Sequence, residues 1–164
     1  MGAISKLLSF LRGTRNGAKL SEAKINPGGG ANLTAEHFAP AGDDAHPLPG
    51  DYVVHVTIPR SGGAAVVGYL DPKNEQKAAA GEKRIYSRDG GGNTVVELWL
   101  KADGSALLSN GTGAIELKPD GEIDLNGATI TPEGDIISKS GISLDNHTHT
   151  GNLGSPTSAP IPTP

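Results

Sequence analysis

No cysteine occurs in the 164 residues. That excludes a disulfide framework and a thiolate metal site. Aromatic residues make up 4% of the chain and hydrophobic residues 35%, less than an ordinary globular domain carries. No apolar run approaches the length of a transmembrane helix. An excess of positive charge is also missing. The formal net charge is −4, which argues against a general binder of nucleic acid or of anionic membranes. No nucleophile elbow, phosphate loop or zinc-protease motif is present. Asp43 with Asp44, or Glu97 with the carboxylates that follow it, could in principle act as paired acids. Carboxylates recurring on the polar side of short strands read more simply as a solvated face.

What the chain does have is glycine, 24 residues, and proline, 12. That is too turn-rich for a helical protein. Val, Ile and Leu are nevertheless clustered, so the chain is not simply disordered. The composition predicts an all-β protein of many short strands with little core per chain. Such a chain needs partners to bury its apolar faces.

The opening MGAISKLLSFLRG places Ile4, Leu7, Leu8 and Leu11 at helical spacing, with Lys6 and Arg12 among them. This reads as a short docking helix within residues 1–16, with a disordered segment or a peripheral membrane anchor as the alternatives. The stretch is too short, and too interrupted by Lys6, for a secretory signal. Lys6 also stands where N-myristoylation requires Ser or Thr.

Residues 17–89 read as one unit. AKLSEAKIN, LTAEHFAP, DYVVHVTIPR, AAVVGYLDP and GEKRIYSRD are five candidate strands, several separated by Gly- and Pro-rich turns. Val54, Val56 and Ile58 alternate with Val53, His55 and Thr57, as in a strand buried on at least one face. Asp71 to Gly81, DPKNEQKAAAG, predicts a helix with Asp71 as N-cap and Pro72 at the first helical position. Five strands and one helix suggest a small Greek-key barrel of the OB-fold kind.

From residue 90 to 145 the pattern changes. Asp-Gly, Asn-Gly and Glu-Gly pairs recur, and GAIELK, GEIDL, ATIT, DIIS and GISL lie between them. Ile115/Leu117, Ile123/Leu125 and Ile142/Leu144 each have period two. This is an irregular strand–turn repeat with one apolar face per strand. Antiparallel hairpins suit its turns. Strands this short cannot cover their own inner face, and a continuous Ile/Leu stripe marks an interface. Three identical chains around one axis, every stripe inward, would form an intertwined trimeric β-helix. Its backbone bonds would then run between strands of different chains. About seven strands at ~4.8 Å give a shaft of roughly 35 Å.

PLPGDYVVHV, VVGYLDP, GEKRIYSRDGGG, the strand–turn repeat and NHTHTGNLGSPTSAP follow one another in a single order. Over residues 17–164 that order resembles the central tail spike of contractile-tailed bacteriophages, the baseplate assembly protein V type, and in particular its short Mu-like members. The resemblance implies an OB-fold, then a trimeric β-helix, then a metal-bound apex over residues 146–164. It implies a structural role: the spike caps the tail tube and baseplate hub and pierces the host outer membrane when the sheath contracts. The partners would be two further copies of the chain, hub and tube proteins, and transiently the membrane, with no nucleic acid. The place would be the virion tail, assembled in the bacterial cytoplasm.

His147 and His149 are the candidate metal ligands. His-X-His on an extended segment puts both imidazoles on one face. Two ligands are too few for one chain, but three chains supply six nitrogens, an octahedral set. Zinc prefers four ligands. Iron(II), cobalt(II) and nickel(II) all fit, and affinity order does not choose among them. The resemblance implies iron. A site saturated by six histidines has no open position, so it is structural. His37, His46 and His55 lack paired spacing and read as ordinary surface or hydrogen-bonded histidines.

No charged side chain occurs from Gly151 to Pro164, and Pro156, Pro160, Pro162 and Pro164 stiffen that run. A point that enters a bilayer should avoid charge; a disordered Pro/Thr tail is the alternative reading of the same run. The leading expectation is therefore a non-enzymatic spike. A trimeric fibre or adhesin tip binding a cell-surface glycan is the alternative, and a small metal-dependent hydrolase is a distant third.

Overall fold

A computed structural model describes residues 2–15, 18–59, 62–151 and 154. Among them the chain is all-β and contains no helix. It divides into two compact units, Met1–Glu75 and Gln76–Pro164.

The first unit is a closed barrel of β1 (Gly2–Arg15), β2 (Ala18–Asn26), β3 (Leu33–His37), β4 (Tyr52–Thr57) and β5 (Ala64–Leu70), in the order β1-β2-β3-β5-β4. β3 and β5 are parallel, and the other pairs are antiparallel. β1 closes the barrel because it serves two neighbours. Its start pairs with β4 and its remainder with β2. Leu7, Phe10, Ala23, Ile25, Ala35, Val53 and Val66 form the core. Each of the larger ones contributes about 1.5–3 kcal/mol by leaving water.

The opening segment is thus a strand and not a docking helix. A β-bulge between Leu7 and Ser9 explains the misleading spacing. The extra residue shifts the alternation by one, so Leu7 and Phe10, three apart, both point inward. A bulged strand here imitates helical periodicity. Leu7 is 1% exposed, whereas Ile4 is 71% exposed.

The expected helix at Asp71–Gly81 is also absent. Asp71 does cap a turn: its Oδ1 accepts the Lys73 N–H at 2.8 Å, and its carbonyl accepts the Asn74 N–H at 3.2 Å. The turn does not propagate. Gln76 adopts φ 51, which ends right-handed geometry. The segment is exposed throughout after Asp71 and presents no apolar face to pack. An unpacked helix of that length does not hold in water.

The second unit is a seven-stranded antiparallel meander of β6 (Lys83–Arg88), β7 (Thr94–Leu100), β8 (Ala106–Ser109), β9 (Ala114–Leu117), β10 (Ile123–Leu125), β11 (Ala128–Ile130) and β12 (Ile136–Ile137). GEKRIYSRD supplies β6 here and not the fifth barrel strand, because Ile85 pairs with Leu98 on β7 and β1 already closes the barrel. The strands shorten from seven residues in β7 to two in β12.

One turn design recurs. At Lys101, Lys118, Thr131 and Ser138 the residue's N–H donates to the carbonyl four positions on, and its carbonyl accepts from the glycine three positions on. That is a three-residue hairpin loop with glycine in the left-handed position. Between β10 and β11 the loop is tighter: Asn126 and Gly127 have φ 56 and 90, the two positive values a type I′ turn requires. These turns direct each strand back onto its sequence neighbour. The ladders of this sheet therefore form within the chain, where the sequence had suggested bonds between chains.

Candidate functional site

The strand register aligns the apolar side chains in rows. Ile85, Leu98, Leu108, Ile115 and Leu125 face one another across five strands. A second row runs Leu100, Ala106, Leu117, Ile123, Ile130 and Ile136. Members of the two rows stand two residues apart on each strand from β7 to β10, so both rows occupy the same face. Past β12, the Leu144 N–H donates to the Ile136 carbonyl at 2.8 Å, which carries the stripe on through Leu144.

Among the described residues, nothing in the unit covers this face. Ile85 is 52% exposed and Leu144 57%. Among the described residues, every buried hydrophobic side chain belongs to the barrel. The opposite, polar face is the better packed one. Arg84 is ion-paired with Glu97, its side chain only 5% exposed, and its guanidinium lies 4.6 Å from the centre of the Tyr86 ring. Trp99 donates its indole N–H to Glu82 at 2.9 Å, and Lys101 pairs with Glu116 at 3.3 Å. An ordinary two-layer domain buries its apolar side. Here the arrangement is inverted.

The stripe leads to the two histidines. Ser143 bridges to Ile137, and the chain then turns through Leu144–Asn146. His147 Nδ1 lies 2.9 Å from the Ser143 carbonyl oxygen and 3.1 Å from that of Leu144. A carbonyl only accepts, so Nδ1 is the donor, and the lone pair of the neutral ring is on Nε2. This is the usual arrangement of a metal-binding imidazole, with one nitrogen tied to a carbonyl and the other left to coordinate. The His149 ring stands 5.1 Å from that of His147, nearly perpendicular at 89°. The two predicted ligands are therefore neighbours. No group of three or more His, Cys, Asp or Glu residues able to hold a metal occurs among the described residues. The proline-rich run expected to form the point lies mostly outside them, from Ser155 to Pro164 together with Asn152 and Leu153.

The other histidines belong to the barrel. His55 is buried, with its Nδ1 3.1 Å from the Ser5 hydroxyl oxygen. His37 and His46 both pack on Phe10, at 5.3 and 4.8 Å between ring centres, and Tyr69 lies 5.0 Å from His37. Burial lowers the His37 pKa, opposed by the charge of Asp43. Burial raises that of Tyr69, whose hydroxyl has no hydrogen-bond partner among the described residues. The spacing of these residues gave no sign that they would converge.

Two further residues carry no functional signal in the sequence: Asp135 is one of the recurring carboxylates that read as a solvated face, and Ser143 stands in no motif. Their side chains meet at 2.7 Å, beside the turn that carries His147. Eight positions separate them, and no local periodicity links them. No protein-family model matches the chain, and no curated protein matches it either.

Proposed function

We propose that the chain is a structural, non-enzymatic phage tail spike that works as a homotrimer. The observation that carries this reading is the apolar face left open across the seven strands β6–β12, among the described residues. Such a face is unstable in water and needs a partner surface of the same character and length. Copies of the same chain, related by a threefold axis, supply it. The sheets then form a triangular shaft, a trimeric β-helix whose ladders run within each chain and whose apolar faces meet at the axis, with the Arg84–Glu97 and Lys101–Glu116 faces outward. The order of the barrel strands suits an OB-fold, which would dock on the baseplate hub and cap the tail tube.

At the apex, three copies of His147 and His149 would hold one iron ion through six imidazole nitrogens. The Nδ1 hydrogen bond of His147 suits this role, because it leaves Nε2 to ligate. The ion would cross-link three chain ends and stabilise the tip. The charge-free run after Gly151 suits entry into the host outer membrane during sheath contraction.

The test combines sedimentation equilibrium with metal analysis of the purified protein. The expected result is three chains and one iron per particle, with the iron lost in His147→Ala and in His149→Ala. A clean monomer would sink the proposal. A trimer with no metal would remove the apex assignment alone. A glycan-binding fibre tip is the second reading, favoured by Tyr86 and Trp99 on the polar face. Glycan-array binding abolished by Trp99→Ala would select it.

A further inference from the structure

We infer that Asp135 is a positioning residue for His147, acting through Ser143 and the turn that follows it. The inference rests on the reading of His147 as a metal ligand and adds to it how the ring is set beforehand. Both oxygens of the Asp135 carboxylate are engaged. Oδ2 accepts the Ser143 hydroxyl at 2.7 Å, and Oδ1 accepts the Asp145 N–H at 3.2 Å. The same Ser143 oxygen accepts the Asn146 N–H at 2.9 Å.

The direction of these bonds follows from the chemistry of the groups. An ionised carboxylate only accepts, so the single hydroxyl hydrogen of Ser143 goes to Asp135. That turns a lone pair of the same oxygen toward Asn146. The turn is thereby held at Ser143, Asp145 and Asn146 from one carboxylate upstream. The carbonyls of Ser143 and Leu144 then converge on His147 Nδ1. They select the Nδ1–H tautomer and fix the ring plane. The bonds from Ser143 and Asp145 also keep the Asp135 carboxyl below its usual range, so it stays ionised at neutral pH.

Asp135 is well placed for this. It directly precedes β12, and the next residue, Ile136, accepts the Leu144 N–H at 2.8 Å. The relay therefore starts at the ladder's end and finishes at the imidazole. Outer-shell partners of this kind are worth about 10–100-fold in metal affinity, because they remove the cost of ordering the ring on binding.

The experiment uses full-length, metal-stripped, 15N-labelled protein at a pH where the imidazoles are neutral. Long-range 1H–15N spectra report which ring nitrogen carries the hydrogen. His147 is expected to show the Nδ1–H form alone in the parent chain and in Ser143→Thr, which keeps the hydroxyl. Asp135→Asn and Ser143→Ala are expected to show a mixture with Nε2–H, and to bind ferrous iron about 10–100-fold more weakly. Unchanged His147 spectra in both of these variants overturn the inference. Should Asp135→Asn fail to fold, Ser143→Ala alone decides it. If the variants release the tautomer but the parent chain takes up no iron, the metal reading fails while the Asp135–His147 link stands.

Discussion

Ile115 on β9 stands directly opposite Leu108 on β8, and neither has a covering layer among the described residues. Directly beside Ile115 in sequence, Glu116 points to the other face and pairs with Lys101. One strand thus carries an open apolar side and a paired polar side, which sets what mutations should do. If the proposed trimer forms, Ile115→Asp or Leu117→Asp should abolish it, because three charges would meet in one apolar layer. Sedimentation velocity should show a single-chain species. Lys101→Gln should leave the particle mass unchanged, since a partly exposed pair of this kind is worth about 1 kcal/mol or less.

The Arg84–Glu97 pair differs from its neighbours in burial. The Arg84 side chain is 5% exposed and that of Glu97 is 21%. Glu97→Ala leaves a desolvated guanidinium without its counter-charge, at a cost of roughly 3 kcal/mol. Glu116→Ala should cost less than about 1 kcal/mol. Paired thermal melts of the two variants measure the difference. Equal destabilisation would mean that burial does not distinguish the pairs.

The bulge in β1 makes a graded prediction about the opening segment. Leu7→Ala should destabilise the barrel by about 2–5 kcal/mol, as a cavity in a packed core does. Ile4→Ala should stay within about 0.5 kcal/mol, as an exposed change does. Denaturant unfolding followed by circular dichroism checks both. A helix with Ile4 and Leu7 on one buried face would give the two variants similar losses.

His37 gives the barrel a pH dependence. Its folded pKa lies below the ordinary value of 6.5 because burial against Phe10 and Tyr69 disfavours the imidazolium. The unfolded chain therefore binds more protons in that window. Its contribution is full above pH 6.5 and is lost as the pH falls through the lowered value. Asp89, Asp103 and Asp135 also have lowered pKa values, through hydrogen bonds to Asn93, Ser105 and Ser143. Their contributions are lost at lower pH, below the ordinary 3.8. Barrel stability should slope downward on acidification from pH 7 to 5, and His37→Phe should flatten that slope. Hydrogen exchange on β3 reads it locally. An unchanged slope in the variant would move the effect to another group.

Much of this architecture was legible from local chemistry. Alternation at Val53/His55 and at Ile115/Leu117 marked strands, and glycines after Asp or Asn marked the turns. His147 and His149, two apart, were destined to be neighbours on any extended segment. Two stretches read as helices for definable reasons. Ile4, Leu7, Leu8 and Leu11 imitated a helix because a bulge inserts one residue into the alternation. Asp71–Gly81 had a helix start and stop but no face to bury.

The sequence by itself was enough to establish a β-rich chain, its turn positions and an apolar stripe too exposed for one copy to hide. Those properties depend on side-chain type and period, which are local. Folding in three dimensions settled which strands are partners. β1, and not β6, closes the barrel, and Ile85 meets Leu98 and Leu108 in one row. It also brought Asp135 to Ser143 and so to the turn before His147. Such pairings depend on register between distant segments, where many alternatives share the same local pattern and only simultaneous satisfaction of ladders and packing selects one.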